Sequence, residues 1–160
     1  MSQTALSESA RKVQAALHQL GLPCQVVELP ASTRTAPEAA QAVGCQVGQI
    51  VKSLIFRTQT SRRPVLVLVS GSNRVDEHKL ATLIGEPIVK AEADFVREQS
   101  GFAIGGVPPV GHPRRLPTYI DEDLLQYAEV WAAAGTPNAV FKLDPRELAR
   151  ITGGTMIKVN

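Results

Sequence analysis

Lys52 stands in a run of apolar residues, Ile50-Val51-Lys52-Ser53-Leu54-Ile55-Phe56. A lysine there either reaches the solvated face of a half-exposed strand or is held in a cleft. In a cleft it would be a fixed cation for a phosphate or a ribose hydroxyl. Further along, Gly105-Gly106 is followed by Val107-Pro108-Pro109-Val110-Gly111. A glycine pair lets the backbone approach a ligand with its N–H groups free, which can build an oxyanion site for an ester carbonyl; its plain alternative is a bulge or tight bend. The prolines favour the first reading, because they lower the entropic cost of holding such a loop in one shape. Gly135-Thr136-Pro137-Asn138 is a second Gly/Pro turn, readable as an ordinary hairpin connection. His112 adjoins the first loop and could donate a hydrogen bond to a substrate.

Other chemistries lack their residues. His18, His78 and His112 have no metal-ligand spacing, and Cys24 and Cys45 form no CxxC, so zinc is not expected and both thiols read as reduced. Ser70, Ser72 and Ser100 have no base at a diagnostic spacing, which leaves a Ser/His/Asp triad unsupported. Gly101 to Gly106 cannot open a dinucleotide-binding helix with Pro108 and Pro109 so close behind. P-loop and nucleophile-elbow patterns are missing as well. An ester hydrolase built from these parts would have an oxyanion site and a cation but no covalent nucleophile.

The elements that must position these groups follow from periodicity and punctuation. Val13, Ala16, Leu17 and Leu20 fall on one face of a helix from about Ser7 to Leu20, stopped by Gly21. Gln25 to Leu29 reads as a strand and Ala31 to Thr35 as a polar loop. Pro37 and Gly44 bracket a short helix over Glu38 to Val43. Ile50 to Arg57 and Pro64 to Ser70 read as paired strands at the centre of a sheet. Asp76 to Ile84 and Ala93 to Gln99 read as helices, and residues 102 to 113 as a shaped loop. Strands are expected at Pro117 to Asp121, Glu129 to Ala133, Val140 to Leu143 and Met156 to Val159. Asp144, Pro145 and Glu147 predict an N-cap, first-turn proline and capping-box acid for a helix reaching about Ile151.

The chain has 160 residues, 44% of them hydrophobic and 20% charged, which suits one globular α/β domain spanning residues 1 to 160. A formal charge of +2 gives no sustained basic stripe for duplex DNA; the basic pairs are Arg62-Arg63 and Arg114-Arg115. Met1 to Thr4 has no leader pattern and no segment has the apolar length of a membrane span, so a cytoplasmic location is expected and no membrane partner.

Taken in order, Val51-Lys52-Ser53-Leu54-Ile55-Phe56, then Gly101 to Gly111, then Ala134-Gly135-Thr136-Pro137-Asn138-Ala139-Val140-Phe141 resemble the YbaK-like aminoacyl-tRNA deacylases. These are relatives of the editing domain inserted in bacterial prolyl-tRNA synthetase. The likeness covers about residues 5 to 158. It implies a mixed, partly barrel-like sheet flanked by helices, with a pocket for the 3′-terminal aminoacyl-adenosine of tRNA. By resemblance Lys52, Gly105 and Gly106 are the catalytic positions. Thr35, Ser70, Phe102, Val107, Pro108, Gly111, His112, Gly135, Thr136 and Asn138 are the substrate-binding ones. The implied reaction is trans-editing: hydrolysis of the ester of alanine, cysteine, serine or threonine on tRNA(Pro) or a similar tRNA, by water or by a substrate group. No cofactor or metal is implied; the partner is aminoacyl-tRNA, with an aminoacyl-tRNA synthetase as a second. Two other classes stay open, a non-catalytic aminoacyl-adenosine binding module or synthetase regulator, and a generic small-molecule esterase.

Overall fold

The two β-branched runs pair as expected. In a computed structural model that describes residues 6–160, β2 (Ile50–Thr58) and β3 (Pro64–Ser70) run antiparallel from Val51↔Ser70 to Arg57↔Pro64. The reading of Met1 to Thr4 lies outside the described residues. Alternation along these strands feeds two cores. Val51, Ile55, Leu66 and Leu68 join one cluster with Ala10, Val13 and Leu17 of helix α1 (Glu8–Gln19). Phe56, Val65, Val67 and Val69 join the other with Leu80 of helix α3 (Glu77–Ile84). Helices cover both faces, which is why the two strands read as nearly unbroken apolar runs.

The remaining strands extend this pair into one mixed sheet. They are β1 (Val27–Glu28), β4 (Ile88–Lys90), β5 (Thr118–Asp121), β6 (Val130–Ala133), β7 (Ala139–Leu143) and β8 (Thr155–Ile157). Their order is β1-β7-β6-β2-β3-β5-β8, with β4 also on β2. The β2–β6, β3–β5 and β5–β8 pairings are parallel, and the others are antiparallel. Helix α2 (Ala36–Val43) starts on the Thr35 cap and ends at left-handed Gly44. Helices α4 (Ala93–Ser100) and α5 (Glu147–Thr152) complete the layers. No described helix is long and apolar enough to cross a membrane.

Several expectations need correction. The strand expected over Gln25 to Leu29 shrinks to Val27–Glu28, the two residues in register with Val140 and Ala139 of β7, with the Leu29 N–H donating to the Asn138 carbonyl beyond them at 2.9 Å. Strand β4 carried no readable signal; three residues become a strand through their pairing with β2 alone. Asp144 does not cap α5. Glu147 and Leu148 donate to the carbonyls of Asp144 and Pro145 in a tight lead-in turn, and the regular helix begins at Glu147. The Asp144 carboxylate still accepts from the Arg146 N–H at 2.9 Å.

Candidate active site

The sheet forks on one edge of β2. Strand β6 pairs with β2 at Ile50 and Val51, and β4 pairs at Phe56 to Thr58. Among the described residues no strand covers the stretch between them. A cavity of about 400 Å³ opens at this gap. Lys52, Ser53 and Leu54 form its floor, Trp131 to Ala133 of β6 one wall, Thr33 to Ala36 and Ala39 another, and Gly105 and Val107 the lip. The backbone opening comes from the fork, so local sequence alone could not place it.

Lys52 lies half-buried, its Nζ donating to the Asn73 carbonyl at 2.6 Å. Burial lowers the pKa of its ammonium from the usual lysine value, Arg74 and Lys90 add to that, and Asp121 opposes it. Asn73 is itself held, its side-chain amide donating to Asp121 at 2.9 Å and to Asp123 at 2.8 Å. Asp121 is buried at the end of β5 and also accepts from the Ser70 N–H at 3.0 Å.

The Gly/Pro loop is anchored at its start by the Ser100 hydroxyl, which accepts from the Phe102 N–H. Gly105 has a φ of +92°, a conformation that favours glycine, and the space a Cβ would take is occupied by the Arg34 side chain. The expectation that both glycine amides are free is corrected at Gly106. Its N–H donates to the Ala103 carbonyl at 3.0 Å, its carbonyl accepts from the Gly135 N–H at 2.9 Å, and the residue is buried. Gly105 and Val107 face the cavity, and neither N–H donates to a backbone carbonyl among the described residues. Of the loop, Gly105 and Val107 are thus the residues at the lip, while the Gly106 N–H is spent within the loop.

Thus the structure gathers Thr35, Lys52, Gly105 and Val107 around one cavity. Thr35 is engaged there as the α2 cap, accepting from the Glu38 N–H at 3.3 Å. The other expected site residues lie behind the cavity or apart from it. The Ser70 hydroxyl is buried and donates to the Gly48 carbonyl. Phe102 is a core residue meeting the His112 ring edge to face, and His112 Nε2 donates to the Pro108 carbonyl at 2.7 Å. Pro108 is buried, while Gly111 and His112 line a separate cavity of about 160 Å³ with Arg114 and Arg115. Gly135, Thr136 and Asn138 form a brace: Gly135 holds Gly106, Thr136 holds Asn138 and Ala139, and Pro137 accepts from Thr33 through both N–H and hydroxyl. That turn fixes the cavity wall and the cavity lip to one another.

Sequence reasoning did not single out Arg34, Ala36, Ala39, Ser53 or Trp131, all lining the cavity. Arg34 carried a signal, a cation in a polar segment between a strand and a helix. Trp131 carried none, because its place depends on parallel pairing with the distant Ile50. Among the described residues, no cluster of His, Cys, Asp and Glu could hold a metal.

The aminoacyl-tRNA editing domain family model matches residues 30–151, a span that holds the Lys52 strand, the Gly/Pro loop and the Gly135 turn. A solved structure described as a candidate trans-editing enzyme for prolyl tRNA synthetase superposes with a TM-score of 0.92 at 57% identity, over 98% of this chain and 99% of that one. EbsC of Enterococcus faecalis, named as a candidate Cys-tRNA(Pro)/Cys-tRNA(Cys) deacylase, is 26% identical over 126 residues, which are 78% of this chain and 76% of that protein. Proline–tRNA ligase of Limosilactobacillus fermentum is 30% identical over 94 residues, which are 56% of this chain and 16% of the ligase.

Proposed function

The chain belongs to the aminoacyl-tRNA editing domain family, and from that premise we propose that it is a trans-editing deacylase that cleaves a small, wrongly attached amino acid from tRNA(Pro) or a similar tRNA. The observation that carries this reading is the convergence of Lys52 with Gly105 and Val107 on one cavity, although they come from separate parts of the chain.

The wall chemistry supports hydrolysis by water. Of its hydroxyls, Thr33 donates to Pro137, Thr35 caps α2, and the Ser53 oxygen is buried away from solvent. Its titratable side chains, among the described residues, are Arg34 and Lys52, neither of them a carboxylate or imidazole base. Water then attacks the ester carbonyl, and its proton is relayed through a neighbouring ribose hydroxyl, which gives its own proton to the departing ribose oxygen. The developing oxyanion is met by the lip amides of Gly105 and Val107. Lys52 and Arg34 hold the terminal nucleotide and fix the ester in the attacking geometry. The ester C–O bond breaks to release amino acid and free 3′-terminal hydroxyl.

Alanine side chains at positions 36, 39, 132 and 133 leave room for a compact aminoacyl group. One methylene changes discrimination by only about 1–3 kcal/mol in such a site, so the wall sorts by size class. The test is deacylation of tRNA(Pro) charged with alanine, cysteine, serine, threonine or proline, with enzyme far below substrate. Multiple turnovers on a small amino acid, with proline spared, is the expected result. Stoichiometric binding without turnover would instead identify an aminoacyl-adenosine binding module, and cleavage of simple esters at comparable rates would identify a generic esterase.

A further inference from the structure

We propose that Asp121 is a positioning residue for Lys52, acting through Asn73 to hold the ammonium at the floor of the cavity. This rests on the functional reading above only in giving Lys52 a role on substrate; the geometry stands without it. Asp121 ends β5, which lies beside β3 on the side of the sheet away from the fork, so its carboxylate does not touch the cavity. It is 1% exposed. A buried carboxylate is costly unless its oxygens are hydrogen-bonded, and here three donors converge on it. Ser70 N–H and the Asn73 amide meet Oδ2 at 3.0 and 2.9 Å, and Asp123 N–H meets Oδ1 at 2.9 Å.

The Asn73 amide spends one N–H on Asp121 and another on Asp123, which clamps the residue between two carboxylates. Clamping the side chain fixes the peptide that follows it. The Asn73 backbone carbonyl is then left in place to accept from Lys52 Nζ at 2.6 Å. A flexible four-carbon side chain in a half-open cavity would otherwise sample many rotamers, and the anchored carbonyl selects one.

The charges that act on Lys52 point the same way. Arg74, in the loop after β3, and Lys90, on β4, both disfavour its protonation, as does burial, while Asp121 is the anion that favours it. Arg34 adds another cation on the cavity wall, and Asp123 a second acid on the far side of Asn73. Without Asp121 the ammonium would face this cationic surrounding with a favourable charge removed.

A purely structural Asp121, serving only to cap the short 3-10 turn at Glu122–Gln126, would act on Lys52 through its charge alone, leaving the order of the Lys52 side chain and the turnover of Asn73→Ala unchanged. The two roles are separated by following the Lys52 side-chain resonances of the full chain through a pH titration, assigned with Lys52→Arg. In Asp121→Asn the Lys52 midpoint is expected to fall by about half a unit or more, with the alkaline limb of the deacylation profile moving to lower pH by the same amount. Asn73→Ala keeps the accepting carbonyl and removes the clamp; it is expected to lower kcat of the folded protein about tenfold with KM little changed, and to lower the melting temperature because the buried Asp121 carboxylate loses one of its three donors. Wild-type turnover in Asn73→Ala with unchanged order of the Lys52 side-chain resonances would overturn the proposal, whatever the midpoint in Asp121→Asn. Should Asp121→Asn fail to fold, Asn73→Ala decides by itself, a wild-type kcat and an unchanged order of the Lys52 side-chain resonances counting against it. A wild-type chain that deacylates no tRNA would sink the functional reading, while the resonances would still judge the clamp.

Discussion

Lys52 combines two facts that a solvated surface lysine would not share: partial burial against the floor of a cavity and a single fixed acceptor, the Asn73 carbonyl. Lys52→Ala is expected to slow single-turnover deacylation by one to three orders of magnitude, about 1.4–4 kcal/mol of transition-state stabilisation. Its melting temperature should stay near wild type, since no ion pair is lost and a partly desolvated charge is removed. A variant with the wild-type rate would remove the ammonium from the reaction. At this scale the sequence was informative because a charge inside an apolar run is conspicuous. It was uninformative for Asp121 and Asn73, whose residue types are commonplace and whose importance lies in where they meet.

The Gly/Pro loop and the Gly135 turn work as one element. A Cβ on Gly106 would lie 2.9 Å from the Thr136 Cα and N, which are backbone atoms unable to step aside. Gly106→Ala is therefore expected to destabilise the fold by about 1–3 kcal/mol, the usual cost of overpacking, while the rate per folded molecule stays near wild type. Denaturant melts and single-turnover assays on one preparation measure both quantities; a normal melt with lost activity would return Gly106 to the oxyanion site. The same loop carries a pH dependence through His112. Burial lowers its pKa below the ordinary 6.5, and the hydrogen bond to the Pro108 carbonyl only partly opposes this. Between the folded and unfolded values the unfolded chain binds a proton that the folded one refuses. Stability from the neutral ring is thus present above about pH 6.5 and is lost as pH falls through the folded-state value. His112→Gln, which can still donate to Pro108, should flatten the fall in melting temperature between about pH 7 and pH 5. An equal fall in the variant would assign the acid sensitivity elsewhere.

For the whole molecule, the cavity exists because one sheet is held rigid on both sides of its fork. Phe141 on β7 is fully buried and helps bind the β6 wall to the main core. Phe141→Ala is expected to cost about 3–5 kcal/mol of stability, read as a lower denaturation midpoint at an unchanged slope. Activity should fall in proportion to the folded fraction. A variant with a normal midpoint but no activity would mean that the core and the site are coupled more directly than packing requires.

What the sequence determined by itself is what neighbouring residues decide. The caps of α1 and α2, the β2–β3 hairpin and the rigid 102–113 loop follow from side-chain oxygens, Gly and Pro conformations and alternation, all acting over a few residues. The tertiary structure decided the fork in the sheet, the emergence of β4, the burial of the Gly106 amide and the Asp121–Asn73–Lys52 chain. Each of these depends on register between segments far apart in the chain. Parallel pairing of Ile50 with Trp131, or the meeting of Ser70 with Asp121, is set by how the helices pack on both faces of the sheet, and no local preference encodes it.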